Sequence, residues 1–424
     1  VPLLLFAACA TQTDGGNEAA RGRGGKADAP GECTPDTCDG PGVGECYCDT
    51  ACAMYGDCCS NYEPVCLGAP TDDGGMPEPD GGMPVPDSGM PEVDSGVPPM
   101  PSSSVPELGD GEIETIATSE HGLDEPRDLG FSNLHTDQLF ITNRGDHSIS
   151  IIHDFFGSSP TISKHAGDGS RHFCARPSGL AFGDTGIMAT IHEEDEITQA
   201  TTPWDFMGPT LHDTELPLFD AGWRSHIDML HNSPNGVGIA HYSGNTFFVF
   251  DGLHESITMY DFQMDHGHGG NDHSDGVVRR YVEGQVGYVP DVASHLEVSG
   301  DLVYIADTGN RRIAVLDPSV GSLGSTISPN YDGSDQRRVE GGSIETLVDG
   351  YSHDLSLPSG LAIHDGRIFV SDASDGEIVA FDMDGTELGR IDTGPSGIMG
   401  LTVGPDGDLY FINATQETLG HVVR

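Results

Sequence analysis

The sequence predicts an all-β chain in which a six-bladed β-propeller follows a small disulfide-rich module and a disordered linker. Three observations predict it: six internal repeats beyond residue 107, eight cysteines crowded between Cys33 and Cys66, and an acidic Pro/Gly spacer between the two. Gly (59) and Pro (28) are abundant while aromatics are sparse, which points to turns and short strands rather than helices. At 424 residues the chain has room for two or more domains and at least one large core.

The chain opens Val1-Pro-Leu-Leu-Leu-Phe-Ala-Ala-Cys9, which reads as the end of a secretory signal and is too short to span a bilayer. Small residues directly before Cys9 resemble the lipobox of bacterial lipoproteins, which implies lipidation of Cys9 and a membrane anchor. The expected location is therefore the cell surface or outer membrane of an exported protein. Residues 10–32, rich in Gly and Ala, are expected to be a disordered tether. Residues 67–106 repeat Asp-Gly-Gly-Met-Pro and Asp-Ser-Gly-Met-Pro, a composition that extends by self-repulsion and cannot form a core.

Between tether and spacer, residues 33–66 carry Cys33, Cys38, Cys46, Cys48, Cys52, Cys58, Cys59 and Cys66. An even, closely spaced set in an exported segment implies disulfides, and a module this small needs them because its core is too small. Cys46-Tyr-Cys48-Asp-Thr-Ala-Cys52 and Asp57-Cys58-Cys59-Ser-Asn-Tyr62 resemble the somatomedin B domain, with Asn61 where Asp is usual. The resemblance implies protein–protein recognition.

Residues 107–424 repeat one plan: an apolar strand, usually closed by Asp or Asn, then an aliphatic residue six positions later that opens the next strand. The six units run Leu139–Asn143 to Ile149, Ile187–Ile191 to Ile197, Phe247–Asp251 to Ile257, Val303–Asp307 to Ile313, Ile368–Asp372 to Ile378 and Leu409–Asn413 to Leu419. Asp and Asn suit these turns because their side chains bond nearby amides. Ile191, followed by His192, breaks the rule. Most units have a Pro-x-Gly lead-in, as in Pro177-Ser-Gly-Leu-Ala and Pro358-Ser-Gly-Leu-Ala; in the fourth, His295 takes the glycine's place. Radial four-stranded sheets bury each other's faces and leave few open edges. The lead-in and the run Val303-Tyr-Ile-Ala-Asp-Thr-Gly-Asn-Arg-Arg-Ile-Ala-Val are similar to NHL-repeat propellers. Ring closure is expected to pair Ile113-Glu-Thr-Ile-Ala with the last unit.

There are 68 acidic residues against 18 basic ones, a net charge of −50, which argues against nucleic acid as a partner. All 19 histidines lie in the propeller, many in insertions around units three and four. His226, His231, His266, His273 and His295 are the candidate metal ligands, and imidazoles beside carboxylates suit zinc, copper or iron. His295, at the start of an innermost strand, is expected to face the central channel. Asp-rich turns such as Asp382-Met-Asp384-Gly offer oxygen ligands for calcium, though a hairpin turn has the same signature. The acidic run His192–Glu196 reads as a solvated turn. The long segment 199–233 reads as a lid over one channel mouth. Cys174 reads as a free buried thiol with no base beside it.

The leading functional expectation is a tethered extracellular protein that binds a protein or glycan partner. The alternative is a metal-dependent enzyme. Peptidyl-hydroxyglycine amidating lyases are similar propellers with a histidine-bound zinc in the channel, and that likeness requires His226, His273 and His295 to converge. A calcium-dependent hydrolase or lactonase is a further alternative.

Overall fold

In a computed structural model, each repeated strand becomes the second strand of a four-stranded antiparallel blade. The structure describes residues 31–32, 43–44, 111–166, 173–184, 186–195, 206–218 and 225–423. The chain divides into a unit over Val1–Gly96 and a unit over Val97–Arg424. Within the first, Gly31–Glu32 pairs antiparallel with Val43–Gly44. The module's eight cysteines, Cys9 and the repeated spacer lie outside the described residues.

Blades 1 and 2 begin with Pro126–Phe131 and Pro177–Phe182, blades 3 and 4 with Gly236–Ser243 and Leu296–Ser299, and blades 5 and 6 with Pro358–His364 and Ile398–Val403. These innermost strands surround a channel. The second strands, such as Leu139–Asn143 and Thr246–Asp251, are buried along their length: Phe247, Phe248, Val249 and Phe250 are all 0 % exposed. Alternation fails there because both blade faces are covered by neighbouring blades. The core is accordingly a series of apolar seams, one between each adjacent pair of blades. Each fully buried Phe or Leu contributes about 1.5–3 kcal/mol.

The closing Asp or Asn does more than make its own turn. Asp251 accepts the His254 amide at 3.0 Å, Asp307 accepts the Gly287 amide at 2.7 Å, and Asn413 accepts the Gln416 amide at 2.8 Å. The Pro-Ser-Gly lead-in stitches blades together. Ser178 donates to the Gly236 carbonyl at 2.5 Å and Ser359 to the Ala293 carbonyl at 2.7 Å. Its glycine permits the close approach, since a Cβ at Gly360 would collide with the Met399 carbonyl oxygen. Glu112–Ala117 pairs with Thr418–Val423 and closes the ring as expected.

Two features depart from the sequence reading. In blade 2 the third and fourth strands are Thr210–Asp213 and His226–Met229. Within the segment read as a lid, Thr210–Asp213 and His226–Met229 therefore build the blade's outer half; residues 196–205, with Ile197 and Trp204, and 219–224 lie outside the described residues. Ile191 is not followed by Asp or Asn, and the third strand begins only at Thr210. The second departure is a hairpin, Ser322–Thr326 and Asp335–Glu340, inserted into blade 4. It docks instead on blade 3, where Asp335–Glu340 pairs parallel with Val277–Tyr281. The Asp382 turn is a hairpin: its carboxylate accepts the Asp384 and Thr386 amides at 3.0 and 2.8 Å. Cys174 is free and buried, and burial pushes its thiol far above the ordinary value.

Candidate functional site

The structure divides the five candidate histidines into two places. His226, His231, His266 and His273 gather at the outer rim between blades 2 and 3. His295 stands in the central channel.

At the rim, His226–Met229 is the outermost strand of blade 2, and the period of two puts His226 and Asp228 on one face. Opposite it, the loop joining Ser256–Asp261 to Val277–Tyr281 in blade 3 supplies His266, His268 and His273. Ligand atoms of Asp228, His266 and His273 all lie within 4.8 Å of one another. His226 lies beside this group, its ring 4.9 Å from that of His266 and stacked 3.8 Å from Phe173. His231 is pinned by Asp332 of the inserted hairpin, whose carboxylate accepts the His231 amide at 3.0 Å and contacts Nδ1.

The hydrogen bonds decide what each imidazole can offer. His266 Nδ1 lies 2.7 Å from the Gly267 carbonyl, which only accepts, so Nδ1 carries the proton. His266 Nε2 is then a buried lone pair without a hydrogen-bond partner. A backbone carbonyl fixing one ring nitrogen while the other is left to ligate is the usual arrangement of a metal-bound histidine. His273 Nδ1 lies 2.8 Å from Asp228 Oδ1. Burial raises the Asp228 carboxyl, and burial also opposes a charged His273, but the Asp228 hydrogen bond and charge outweigh that and raise His273. Tetrahedral zinc, at about 2.0–2.1 Å from each ligand, needs donors of this kind with one position left open. Asp228 carried a legible signal in its spacing from His226; Asp332, 101 residues from His231, carried none.

In the channel, Asp128 of blade 1 faces His295 of the opposite blade 4, Oδ1 and Nδ1 being 3.4 Å apart. The Leu129 and Leu180 amides donate to Asp128 at 2.8 and 2.9 Å, so the carboxyl also ties blade 1 to blade 2. Burial raises Asp128, against the lowering effect of His295 and these amides. Glu297, two residues beyond His295, is pushed up to about 8 by burial and then by the Asp128 charge. A cavity of 220 Å³ lies along these residues. At the end where the innermost strands begin, Arg144 pairs with Glu193, Asp291 and, at 2.8 Å, Glu125, while Tyr288 donates to Glu193 at 2.9 Å. Glu193 is 3 % exposed, so one residue of the acidic run read as a solvated turn instead supplies a buried ionic crossing of the channel, while Asp195 is exposed. The guanidinium of Arg144 offsets the cost of burying that charge.

The histidine convergence required by the lyase likeness does not form among the described residues, because His295 is held across the channel while His226 and His273 stand at the rim. Glu297 gives a pH prediction. From its ordinary value of 4.5 up to about 8 the folded chain holds a proton that the unfolded chain has released, so stability falls as pH rises through that window. Glu297→Gln removes this slope and is more stable than the parent by about 2 kcal/mol at pH 8.5, water in the cavity easing the penalty on the charged form. Urea unfolding midpoints at pH 5 and pH 8.5 measure it; parallel slopes for the two proteins refute it.

The somatomedin B domain model matches residues 31–69. No curated protein matches the sequence. Among solved structures the chain is similar to a luciferin-regenerating enzyme at 13 % identity and TM-score 0.44, covering 74 % of this chain and 95 % of that one. It is similar to regucalcin, a calcium-binding protein from Agrobacterium tumefaciens, at 12 % and 0.43, covering 72 % and 92 %. An auxiliary nutrient binding protein from Bacteroides thetaiotaomicron gives 12 % and 0.46, covering 71 % and 69 %. Likenesses this distant carry no function across. The chain thus carries a somatomedin B domain at residues 31–69 together with a six-bladed β-propeller.

Proposed function

We propose that the chain is an exported, surface-tethered binding protein whose propeller holds a transition-metal ion at Asp228, His266 and His273. The observation that carries the metal is the convergence of these three donors within 4.8 Å, one of them an imidazole nitrogen with no other partner. An ion there replaces the proton between His273 and Asp228 and cross-links the outer edges of blades 2 and 3. The somatomedin B domain supports an extracellular setting and a protein or glycan partner; a lipid on Cys9, with residues 10–32 and 67–106 as spacers, would hold the propeller away from the membrane. No helix among the described residues is long and apolar enough to cross a membrane.

The test is elemental analysis of the full chain, purified without a histidine tag and dialysed. The expected result is about one equivalent of zinc, copper or iron, lost in both His273→Ala and Asp228→Asn. Zinc at 100 times its Kd stabilises the parent by about 2.7 kcal/mol and leaves His273→Ala unmoved. No bound metal, or metal retained by both variants, overturns the reading.

A further inference from the structure

The channel cavity is independent of the rim cluster. Its walls hold Asp128 and Glu297, with apolar sides from Leu180, Ile239 and Leu401, and no Lys or Arg lines it. His295 is 4 % exposed and its Nε2 has no hydrogen-bond partner. Nδ1 faces the Asp128 carboxylate, so Nε2 is left as an acceptor. Such a nitrogen, buried in the wall of a cavity, is costly to leave unmet. The site is thus three acceptors, two of them carboxyl groups, with no lysine or arginine on its walls to balance them.

A single metal ion does not suit these groups. Asp128, His295 and Glu297 do not bring three ligand atoms within 4.8 Å of one another, as the rim residues do. The space is also far larger than an ion: 220 Å³ accommodates a small organic molecule. A point ammonium would face the same spread of acceptors as a metal. A guanidinium or amidinium differs, because its N–H donors diverge over several edges of a rigid plane and reach carboxylates that stand apart. Its attached alkyl group would lie against the leucines and Ile239.

We propose that the channel is a binding chamber for a small guanidinium- or amidinium-bearing molecule, its planar cation held between Asp128 and Glu297 and donating to His295 Nε2. The ionic crossing of Arg144 and Glu193 bars one mouth, so the ligand enters from the other, past Phe131 and His241. The titratable groups on the chamber are Asp128, His241, His295 and Glu297. Binding a cation draws the proton off Glu297, which at pH 7 is held mostly protonated.

Isothermal titration calorimetry of the full chain with n-propylguanidinium tests this, in two buffers of different ionisation enthalpy at pH 7. The matched probes are neutral n-propylurea, which has nearly the same shape, and n-propylammonium. The expected result is binding of the guanidinium with release of close to one proton, at least tenfold tighter than either control. Glu297→Gln should weaken it at least tenfold and abolish the proton release. Four outcomes overturn the proposal: no binding, equal binding of the urea or the ammonium, unchanged affinity in Glu297→Gln, or displacement of the guanidinium by millimolar calcium. The comparison of the three probes on the parent protein stands even if the variant does not fold.

Discussion

Replacing residues 112–117 by a flexible Gly-Ser hexapeptide lowers the melting temperature of the propeller by about 7 °C. In the ring, Glu112–Ala117 is the outer strand of blade 6, and it comes from the opposite end of the propeller sequence. Ala117 pairs with Leu419, Thr115 with Gly420 and Ile113 with Val422. Ala117 is fully buried, and Ile113 and Ile116 pack on the seams either side of blade 6. Two half-buried isoleucines contribute about 2–3 kcal/mol, and four or five ladder hydrogen bonds at about 0.5–1.5 each bring the loss to roughly 5 kcal/mol. With about 2.1 cal/mol/K of unfolding entropy per residue, a propeller of about 320 residues moves its midpoint by about 1.5 °C for each kcal/mol. The replacement also bares Thr418–Val423 as an edge strand, so the variant should aggregate on heating where the parent does not. Scanning calorimetry reads both effects. A midpoint within 3 °C of the parent would mean that the ring closes by side-chain packing alone.

The closing strand was legible because it is a strand pattern left over when the six repeats are assigned, and a ring has one place for it. The second strands were legible for a related reason: turn chemistry at Asp251, Asp307, Asp372 and Asn413 repeats at a fixed distance from an apolar run. His295 could be placed in the channel because it stands at the start of an innermost strand. What the pattern could not convey is where an irregular insertion docks. The hairpin within blade 4 pairs with blade 3 through Asp335–Glu340, and only that docking brings Asp332 to His231. Glu193 failed for the opposite reason. Four acidic residues in a row look solvated, and its burial depends on Arg144 of another blade and on Tyr288 between blades 3 and 4. Charge pairing between distant segments has no local period to read.

Arg280→Ala destabilises the chain by about 3–5 kcal/mol and weakens metal binding at the rim, although Arg280 touches none of the proposed ligands. Arg280, on the fourth strand of blade 3, is 2 % exposed. Its Nη2 donates to the Asn232 carbonyl at 2.7 Å and lies 3.5 Å from Asp251 Oδ2, a carboxylate that is itself 0 % exposed. Asp251 also accepts from Ser233 at 2.9 Å, and Tyr260 donates to Ser233 at 2.7 Å and to the His231 carbonyl at 3.1 Å. Removing the guanidinium leaves a buried carboxylate with less compensation and frees the Asn232 backbone, which holds a left-handed φ of 92°. His231 is the next residue back, so the loss of order passes into the wall of the histidine cluster. The double variant Asp251→Asn with Arg280→Ala removes both charges and should cost clearly less than the two single changes together, the excess measuring their coupling. Urea unfolding of the four proteins gives that number, and zinc titration of the same set gives the affinity. If the singles add, the buried pair is not an energetic unit; if zinc affinity is unmoved in Arg280→Ala, the cluster is positioned by blade 2 and the blade 3 loop alone.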